Sequence, residues 1–286
     1  MSFLQRLKDC NKHKESNFFK FFIDNYHVGY IKKKKINIIK KFPNFFLFNE
    51  KKIFLRKEIN NFKKRTYVIN QVFNYLLKEK LILSKHREYF PVFRSFQEKP
   101  LLKVQRLMGP FFGFQFFGVH LNGFLRKNNK YFMWVGRRTK KGNFPNDLDQ
   151  IAAGGLPFNV TIKKNLIKES YEEANINKTL ISKSKYDGII SYRVETKLGL
   201  SRHILFCYNL ELPMNFTPKN NDGEITSFYL WPIEKILKII KQSRKFKFDC
   251  SLVIIQFAMN KKIIQIKKIK QMLNNKLDLK ILKKIK

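Results

Sequence analysis

Acidic residues are scarce in this chain of 286 residues, which holds 21 Asp and Glu against 59 Lys and Arg. Cysteine is also rare: the 3 cysteines form no Cys-x-x-Cys pair, which argues against a disulfide framework or a zinc site and favours a reducing compartment. No apolar run approaches the roughly 18 residues of a membrane span, and the N-terminus has no signal-peptide pattern. These shortages predict a soluble, cytoplasmic protein without a membrane span.

The net charge of +38 allows two interpretations. Such an excess attracts polyanions, so nucleic acid or an acidic membrane surface could be the partner. Alternatively, Lys, Asn, Ile and Phe are abundant together along the whole chain, which indicates a compositional bias rather than a binding patch. The second interpretation is favoured, and nucleic acid is not expected as a partner. A positive field would still speed the capture of a phosphorylated small molecule.

The remaining composition predicts a folded chain of more than one part. Hydrophobic residues make up 44% and aromatic residues 15%, with 30 Phe, which excludes a largely disordered protein. A stretch punctuated by Pro and Gly, from 91 to 113, suggests a boundary. We expect a small α+β domain over 1–110, a second domain over 111–262 and a basic amphipathic helix over 263–286. Membrane-surface binding is conceivable for that helix, but packing on its own domain is favoured.

Local patterns predict the elements within these parts. The predicted helices cover 1–14, 15–26, 59–80, the stretch ending at Asn175, the stretch after Pro232, and 248–258. The predicted strands are a hairpin over 45–55 and further strands at 115–125, 131–138, 186–194, 202–210 and 225–231. Gly154-Gly155 is interpreted as a sharp turn, and Asn159 or Thr161 as the cap of the helix that follows.

Three of the scarce carboxylates, Glu169, Glu172 and Glu173, fall within five residues of one predicted helix. Like charges at this spacing repel one another by a few tenths of a kcal/mol per pair. A hard divalent cation would turn that cost into binding, since Mg²⁺ prefers carboxylate and phosphate oxygens. Gly154 and Gly155 would let the backbone approach a phosphate closely. From spacing alone, a solvated acidic face and a metal site both remain open.

This stretch resembles the Nudix box. The matching run is Gly154-Gly155-Leu156-Pro157 followed by Lys168-Glu169-x-x-Glu172-Glu173-x-Asn175-Ile176. It departs from the family pattern at Val160, where the box has an early glutamate, at Lys168, where it has arginine, and at Asn175, where it has a second glycine.

The flanking sequence is similar to one branch of the Nudix hydrolases. This branch includes the Nudix part of fungal thiamine pyrophosphokinase fusions and plant chloroplast Nudix hydrolases, and its box commonly carries the same lysine and lacks the same early glutamate. The similarity covers roughly 90–262, and more loosely the region before it, which resembles the helper domain that precedes Nudix in this branch. The flanking runs that carry it are 117–123, 134–138, 152–153, 210–213, 221–224 and 228–232.

The resemblance implies an α/β/α Nudix sandwich with a mixed sheet, and a hydrolase of diphosphates that uses Mg²⁺ or Mn²⁺. For this branch the implied substrate is thiamine diphosphate or its oxidised analogues, cleaved to the monophosphate and phosphate. A nucleotide-type diphosphate, such as a nucleotide sugar, a dinucleotide or a cap, remains an alternative. A basic nucleic-acid-binding protein on a Nudix scaffold is a further alternative, and an isomerase on this fold a remote one.

The resemblance also suggests residue roles. Glu169 and Glu173 are the expected metal ligands, and Glu172 is a third ligand or a partner of one. Catalysis is assigned to Glu173, Glu172 and Glu224, although a plain loop carboxylate remains an equal interpretation of Glu224. The glycines would hold the phosphates together with Arg137 or Arg138, of which at most one should face the site, because neighbouring strand residues point to opposite sides.

Other side chains are interpreted as structural. The histidines are better explained as strand residues than as acid–base groups, the aromatic residues as core rather than as ring-stacking partners, and the cysteine as inert packing. The residues concerned are His120, His203, Phe117, Trp134, Tyr192 and Cys207. The sequence has no P-loop, His-Glu-x-x-His or Gly-x-Ser-x-Gly motif.

Overall fold

A computed structural model describes residues 2–83, 88–142 and 144–266. The helices in these ranges are α1 Phe3–Cys10, α2 Ile36–Lys40, α3 Phe62–Lys78, α4 Met108–Phe112, α5 Ile162–Ala174, α6 Lys178–Ile181, α7 Ile233–Gln242 and α8 Phe248–Asn260. The strands are β1 Phe18–Ile23, β2 Tyr26–Lys32, β3 Phe46–Asn49, β4 Lys52–Leu55, β5 Tyr89–Val92, β6 Leu102–Gln105, β7 Gln115–Lys127, β8 Lys130–Arg138, β9 Leu148–Asp149, β10 Ala152–Gly155, β11 Lys185–Glu195, β12 Leu200–Glu211 and β13 Ile225–Pro232. None of these helices is both long and apolar enough to cross a bilayer.

The first part of the chain builds a four-stranded sheet with the order β2-β1-β4-β3. Helix α3 begins at Phe62 because Asn61 caps it, accepting a hydrogen bond from the Lys64 backbone N–H. Its buried residues, among them Ile69 and Val72, join a core that also takes in the hairpin of β5 and β6 and the start of β7. The four-stranded sheet, the β5–β6 hairpin and the start of β7 therefore share one apolar core.

The second part is built on a seven-stranded mixed sheet. Its main path is β11-β12-β7-β8-β13, in which β12 and β7 are parallel and the other neighbours are antiparallel. The short strand β10 pairs with β7, and the short strand β9 pairs with β8, both antiparallel. This arrangement carries the chain from the end of β8 through β9 and β10 directly into helix α5.

Helices cover both faces of this sheet, so the predicted α/β/α fold class is confirmed. On one face, residues such as Val119 and Phe206 form a core with Leu166 and Ala174 of α5. On the other face, Val135 and Cys207 pack with α7 and α8. The period-2 alternation of the strands explains this division, because successive side chains point to opposite faces.

The first helix of the chain packs with the last ones. Leu7 and Cys10 of α1 are buried in the same core as α7 and α8, and the Cys10 thiol donates to the Phe248 carbonyl oxygen. Residues 2–10 therefore contribute to the core of the second part. The division at residue 110 remains a prediction.

Several local predictions need correction. The stretch 15–26 is not a helix: after one short 3₁₀ turn it forms β1, whose phenylalanines pair in a sheet. Gly154 and Gly155 are not a turn but lie in β10, opposite Val119 and Gly118. Most of the predicted C-terminal helix, from 267 onward, lies outside the described residues, and 263–266 is not helical. The other predicted helices and strands are present, with shifted ends.

Candidate active site

Helix α5 carries the glutamates and is fixed at both ends. The Thr161 hydroxyl accepts a hydrogen bond from the Lys164 backbone N–H, so of the two predicted caps Thr161 is the one used. The helix ends at Asn175, which adopts the left-handed conformation with φ 54° and donates its N–H to the Tyr171 carbonyl. Because Leu166 and Ala174 anchor the helix in the core, its rotation about its own axis is set.

The three glutamates of α5 lie in three different environments. The residue Glu173 is only 3% exposed, and its Oε2 accepts a hydrogen bond of 3.0 Å from the Ala153 backbone N–H of β10. The side chain of Glu169 is 12% exposed, whereas that of Glu172 is 40% exposed. The acids therefore form a gradient from the core to the solvent rather than a uniform solvated face.

Burial and neighbouring acids disfavour the charged form of Glu173. Burial is the main reason that its pKa lies well above the usual range, and the negative charges of Asp149, Glu169 and Glu224 add to the effect. Burial likewise raises the pKa of Glu169 to about 7, against the opposing effect of Lys168. The site thus concentrates negative charge that a bound cation would relieve.

Lys168 supplies part of the compensating charge. Its Nζ lies 3.3 Å from Glu169 Oε1, 3.2 Å from Glu172 Oε2 and 3.2 Å from Glu88 Oε1. Glu88 comes from the segment just before β5, so one ammonium group links the two parts of the chain. The lysine that replaces the arginine of the family pattern therefore lies within the acidic group.

The paired glycines of β10 leave room for their neighbours. A Cβ atom on Gly154 would lie 2.1 Å from Glu169 Cδ, and one on Gly155 would lie 2.7 Å from Cε1 of Phe90 in β5. Neither glycine has a positive φ, so the need for glycine here is close approach rather than an unusual backbone conformation. The absence of a side chain on Gly154 leaves room for Glu169, and the absence of one on Gly155 leaves room for Phe90.

The two arginines at the end of β8 differ in their contacts. Arg138 donates through Nη1 to Asp149 Oδ2 at 2.9 Å and through Nη2 to Glu224 Oε2 at 2.8 Å. Arg137 instead donates to the Asn146 carbonyl at 3.1 Å, and its guanidinium lies over the Tyr229 ring. Only Arg138 therefore contacts the acids.

Glu224 reaches this region because its loop docks on the end of α5. The Asn221 backbone N–H donates to the Glu172 carbonyl at 2.8 Å, and its side-chain amide donates to the Tyr171 carbonyl at 2.7 Å. The side chain of Glu224 is 53% exposed and is held by Arg138. Glu224 therefore lies at the open edge of the site.

The remaining candidates are packed away from solvent. His120 binds Gln150 through Nδ1, and burial lowers its pKa. His203 contacts the Ser201 hydroxyl and stacks on Tyr192, and burial lowers its pKa to about 4. Phe117, Tyr192 and Cys207 are buried in the two cores, while Trp134 is partly buried and has no hydrogen-bond partner for its indole N–H.

Two further charged residues near the site, Asp149 and Lys247, belong to no sequence motif. Asp149 is 1% exposed at the end of β9, and Lys247 Nζ lies 3.8 Å from its Oδ2. One feature of the sequence could have indicated Asp149. Acidic residues are rare in this chain, yet Asp147 and Asp149 both lie just before the apolar run that leads into the paired glycines. No spacing rule links residue 149 to residue 247, which the fold brings together.

The donor chemistry of the site fits a hard divalent cation. Within 2–83, 88–142 and 144–266, no three or more His, Cys, Asp or Glu side chains form a group already arranged to hold a metal ion. Even so, the side chains that meet around α5 and β10 end in carboxylate oxygens, the ligands that Mg²⁺ and Mn²⁺ prefer. The raised pKa values of Glu169 and Glu173 mark where added positive charge would be stabilising.

Comparison with known proteins finds relatives along most of the chain. The family described as "Domain of unknown function (DUF4743)" matches residues 2–115. "Nudix hydrolase 24, chloroplastic" of Arabidopsis thaliana is 33% identical over 268 residues, covering 92% of this chain and 73% of the relative. "Nudix hydrolase 20, chloroplastic" of the same plant is 33% identical over 267 residues, covering 89% and 71%.

Solved structures also match part of the chain. The binary complex of C. elegans Ap4A hydrolase covers 52% of this chain and 99% of that chain, with 14% identity and a TM-score of 0.40.

Proposed function

Because the chain belongs to the Nudix hydrolase family, whose members act on diphosphate bonds, we propose that it hydrolyses thiamine diphosphate or its oxidised oxo and oxy analogues. Water adds to a phosphorus atom and the anhydride bond breaks, so that the products are the monophosphate and inorganic phosphate. The choice of a thiamine-type substrate rests on the branch that the sequences flanking the glutamates resemble.

The observation that carries the reaction type is the buried Glu173 beside Glu169. A carboxyl group with 3% exposure, next to further acids, is costly to ionise unless a cation or a hydrogen-bond donor compensates it. Carboxyl groups with pKa values perturbed in this way cluster at functional sites. A structural role alone would be served equally well by a neutral glutamine.

We assign roles by position. Glu169, Glu172 and Glu173 would hold Mg²⁺ or Mn²⁺, and the Ala153 N–H fixes the Glu173 carboxylate for that purpose. A bound divalent ion supplies charge neutralisation of the phosphate oxygens and lowers the pKa of water. Glu224 is exposed enough to accept a proton from the attacking water at the edge of the site.

Phosphate recognition is assigned to Arg138, which lies beside Glu224, and to the glycines of β10. The Arg138 guanidinium binds carboxylate oxygens through two separate nitrogens, a geometry that also suits phosphate oxygens. Glu169 and Phe90 fill the space that side chains on Gly154 and Gly155 would take, and the assignment of these glycines to phosphate contact rests on the family resemblance. Arg137 is tied to Asn146 and Tyr229, and we leave it out of the site.

The test is phosphate release with Mg²⁺ from thiamine diphosphate, its oxo and oxy analogues, ADP-ribose and a capped dinucleotide. We expect the thiamine-type compounds to be hydrolysed fastest, and Glu173→Gln to lower kcat by about 100-fold or more. The matched control is Glu211→Gln, an exposed carboxylate at the end of β12, which should retain activity.

The outcomes separate the parts of the proposal. Preference for ADP-ribose or the capped dinucleotide would contradict the thiamine substrate and leave the hydrolase mechanism standing. Unchanged activity in Glu173→Gln would contradict the assignment of the site. Salt-sensitive nucleic-acid binding without Mg²⁺-dependent phosphate release would favour the scaffold alternative.

A further inference from the structure

A buried group of charges lies behind the acids of the site, where β9 meets the start of α8. We call it the α8 charge cluster, and it consists of Asp149, Lys247, Asp249 and Cys250. Lys247 Nζ lies 3.8 Å from Asp149 Oδ2 and 3.5 Å from Asp249 Oδ1, so one ammonium group serves two buried carboxylates. The Cys250 thiol donates to Asp149 Oδ1.

The backbone holds this cluster together. The Leu148 N–H donates to the Lys245 carbonyl at 2.7 Å, and the Lys247 N–H donates to the Leu148 carbonyl at 2.9 Å. The segment before α8 is thereby fastened along β9. Asp149 and Lys247 are distant in sequence but are set in register by these two hydrogen bonds.

Both carboxylates of the cluster are held in the charged form. Burial by itself raises the pKa of Asp149, but Lys247, the Cys250 thiol and Arg138 together bring it below the ordinary value. In the same way burial opposes ionisation of Asp249, while Lys247 and two histidines bring its pKa to about 2. A buried ion pair with one partner removed is strongly destabilised, so the charges depend on one another.

Only Asp149 connects this cluster to the site. Its Oδ2 accepts a 2.9 Å hydrogen bond from Arg138 Nη1, and Arg138 Nη2 reaches Glu224 at 2.8 Å. Asp149 is also the acid whose charge acts most strongly on the buried Glu173. Asp249 instead accepts from the Tyr192 hydroxyl at 3.4 Å.

We propose that Asp149 and Lys247 are positioning residues for the diphosphate reaction: Lys247 fixes Asp149, which holds the Arg138 guanidinium so that it reaches Glu224 and the substrate phosphates. This inference rests on the proposed function. An arginine held through one nitrogen presents the rest of its planar guanidinium in a fixed orientation, and this lowers the entropy lost when a phosphate binds.

The chain offers a matched pair of variants for the test. Asp149→Asn and Asp249→Asn each remove one buried charge that pairs with Lys247, but only the first touches Arg138. We expect both to lower the melting temperature by similar amounts. Asp149→Asn should also reduce kcat/KM for thiamine diphosphate with Mg²⁺ by about 10–100-fold, against less than about threefold for Asp249→Asn.

Three further variants separate positioning from folding. If Asp149 acts through Arg138, adding Asp149→Asn to Arg138→Ala should lower kcat/KM by less than about twofold more than Arg138→Ala alone. Lys247→Arg should retain most of kcat, and Lys247→Met should behave like Asp149→Asn.

Calorimetric binding of methylenediphosphonate in the presence of Mg²⁺ gives a readout that does not depend on turnover. We expect Asp149→Asn to weaken this binding and Asp249→Asn to leave it unchanged. Equal effects of the two variants on binding and kcat, or fully additive losses in the double variant, would overturn the inference. Absence of phosphate release by the unsubstituted protein would instead contradict the proposed function, and the diphosphonate measurement would still decide the role of Asp149.

Discussion

Glu169 and Glu173 bind protons more readily in the folded, metal-free chain than in an unfolded one. Burial raises the pKa of Glu169 to about 7 from an ordinary value of 4.5, and it raises that of Glu173 well above the same value. At pH values between 4.5 and the raised pKa values, the folded state holds more protons than the unfolded state. Stability is therefore greatest at acidic pH with respect to these groups, and it falls as pH rises through the folded-state pKa values.

We expect the melting temperature of the metal-free protein to fall between about pH 5 and about pH 8 at constant ionic strength. Glu173→Gln and Glu169→Gln should each flatten this dependence, whereas the exposed Glu211→Gln should not. Addition of Mg²⁺ at the higher pH should restore the melting temperature of the unsubstituted protein but not that of Glu173→Gln. The measurement is scanning calorimetry, and a profile that rises with pH in Glu211→Gln and the unsubstituted protein alike would contradict the assignment.

The contrast between Glu173 and Asp149 shows what the sequence could predict about individual residues. The glutamates follow one another on a single helix, so the 100° step of the helix places them together without knowledge of the fold. Asp149 owes its place to β9 and to the segment before α8, which lie 98 positions apart at residues 149 and 247. Sequence spacing carries no information about such a tertiary pairing.

At the scale of elements, β10 and α5 approach each other so closely that Gly154 has no room for a side chain. The conflicting atom is Cδ of Glu169, the end of a flexible side chain rather than backbone. The helix and strand can therefore stay in place while the carboxylate moves.

We expect Gly154→Ala to lower kcat by about tenfold or more, because it displaces Glu169, the proposed metal ligand, with a loss of stability below about 1 kcal/mol. The matched control is Gly123→Ala in β7, whose added methyl group would meet the side-chain ends of Ile151 and Leu212, each at 2.8 Å. Activity and urea unfolding of both variants would be measured. Full activity in Gly154→Ala would show that the position of Glu169 does not matter.

The end of α5 poses a different conformational demand. Asn175 has φ 54°, a region that glycine adopts freely and that asparagine tolerates better than other residues. Asn175→Gly, which restores the family pattern, should change the free energy of unfolding by less than about 1 kcal/mol, whereas Asn175→Val should cost about 1–2 kcal/mol. Equal stability of the two variants in urea would show that the cap is not strained.

The elements also show where periodicity misled the interpretation. The run Phe18–Ile23 is rich in phenylalanine at spacings that fit a helix and a strand alike. Its burial departs from strict alternation, and its register with β2 shifts between Phe21 and Phe22, where Val28 of β2 has no partner. In α3, by contrast, the longer apolar pattern is unambiguous, and the helix is confirmed.

At the scale of the whole molecule, the two parts of the chain are joined by packing and by polar contacts. The Phe158 N–H, in the loop before α5, donates to the Tyr89 carbonyl at 2.7 Å, and the rings of Phe158 and Phe62 stack. Lys32 pairs with Glu195 at 2.7 Å. Together with the core shared by α3 and the start of β7, these contacts predict that the parts unfold together.

The two tryptophans provide a direct test of this coupling, because Trp134 and Trp231 both lie in the seven-stranded sheet. Ile69→Ala, in the fully buried face of α3, should cost about 2–5 kcal/mol and should shift the urea midpoint seen by tryptophan fluorescence as far as the one seen by circular dichroism. Tyr67→Ala, on the exposed face of the same helix, serves as the control and should shift neither midpoint appreciably. An unchanged tryptophan transition in Ile69→Ala, with an earlier separate loss of helical signal, would show that the parts unfold independently. Coincident shifts would mean that damage far from the glutamates reaches the site through the common core.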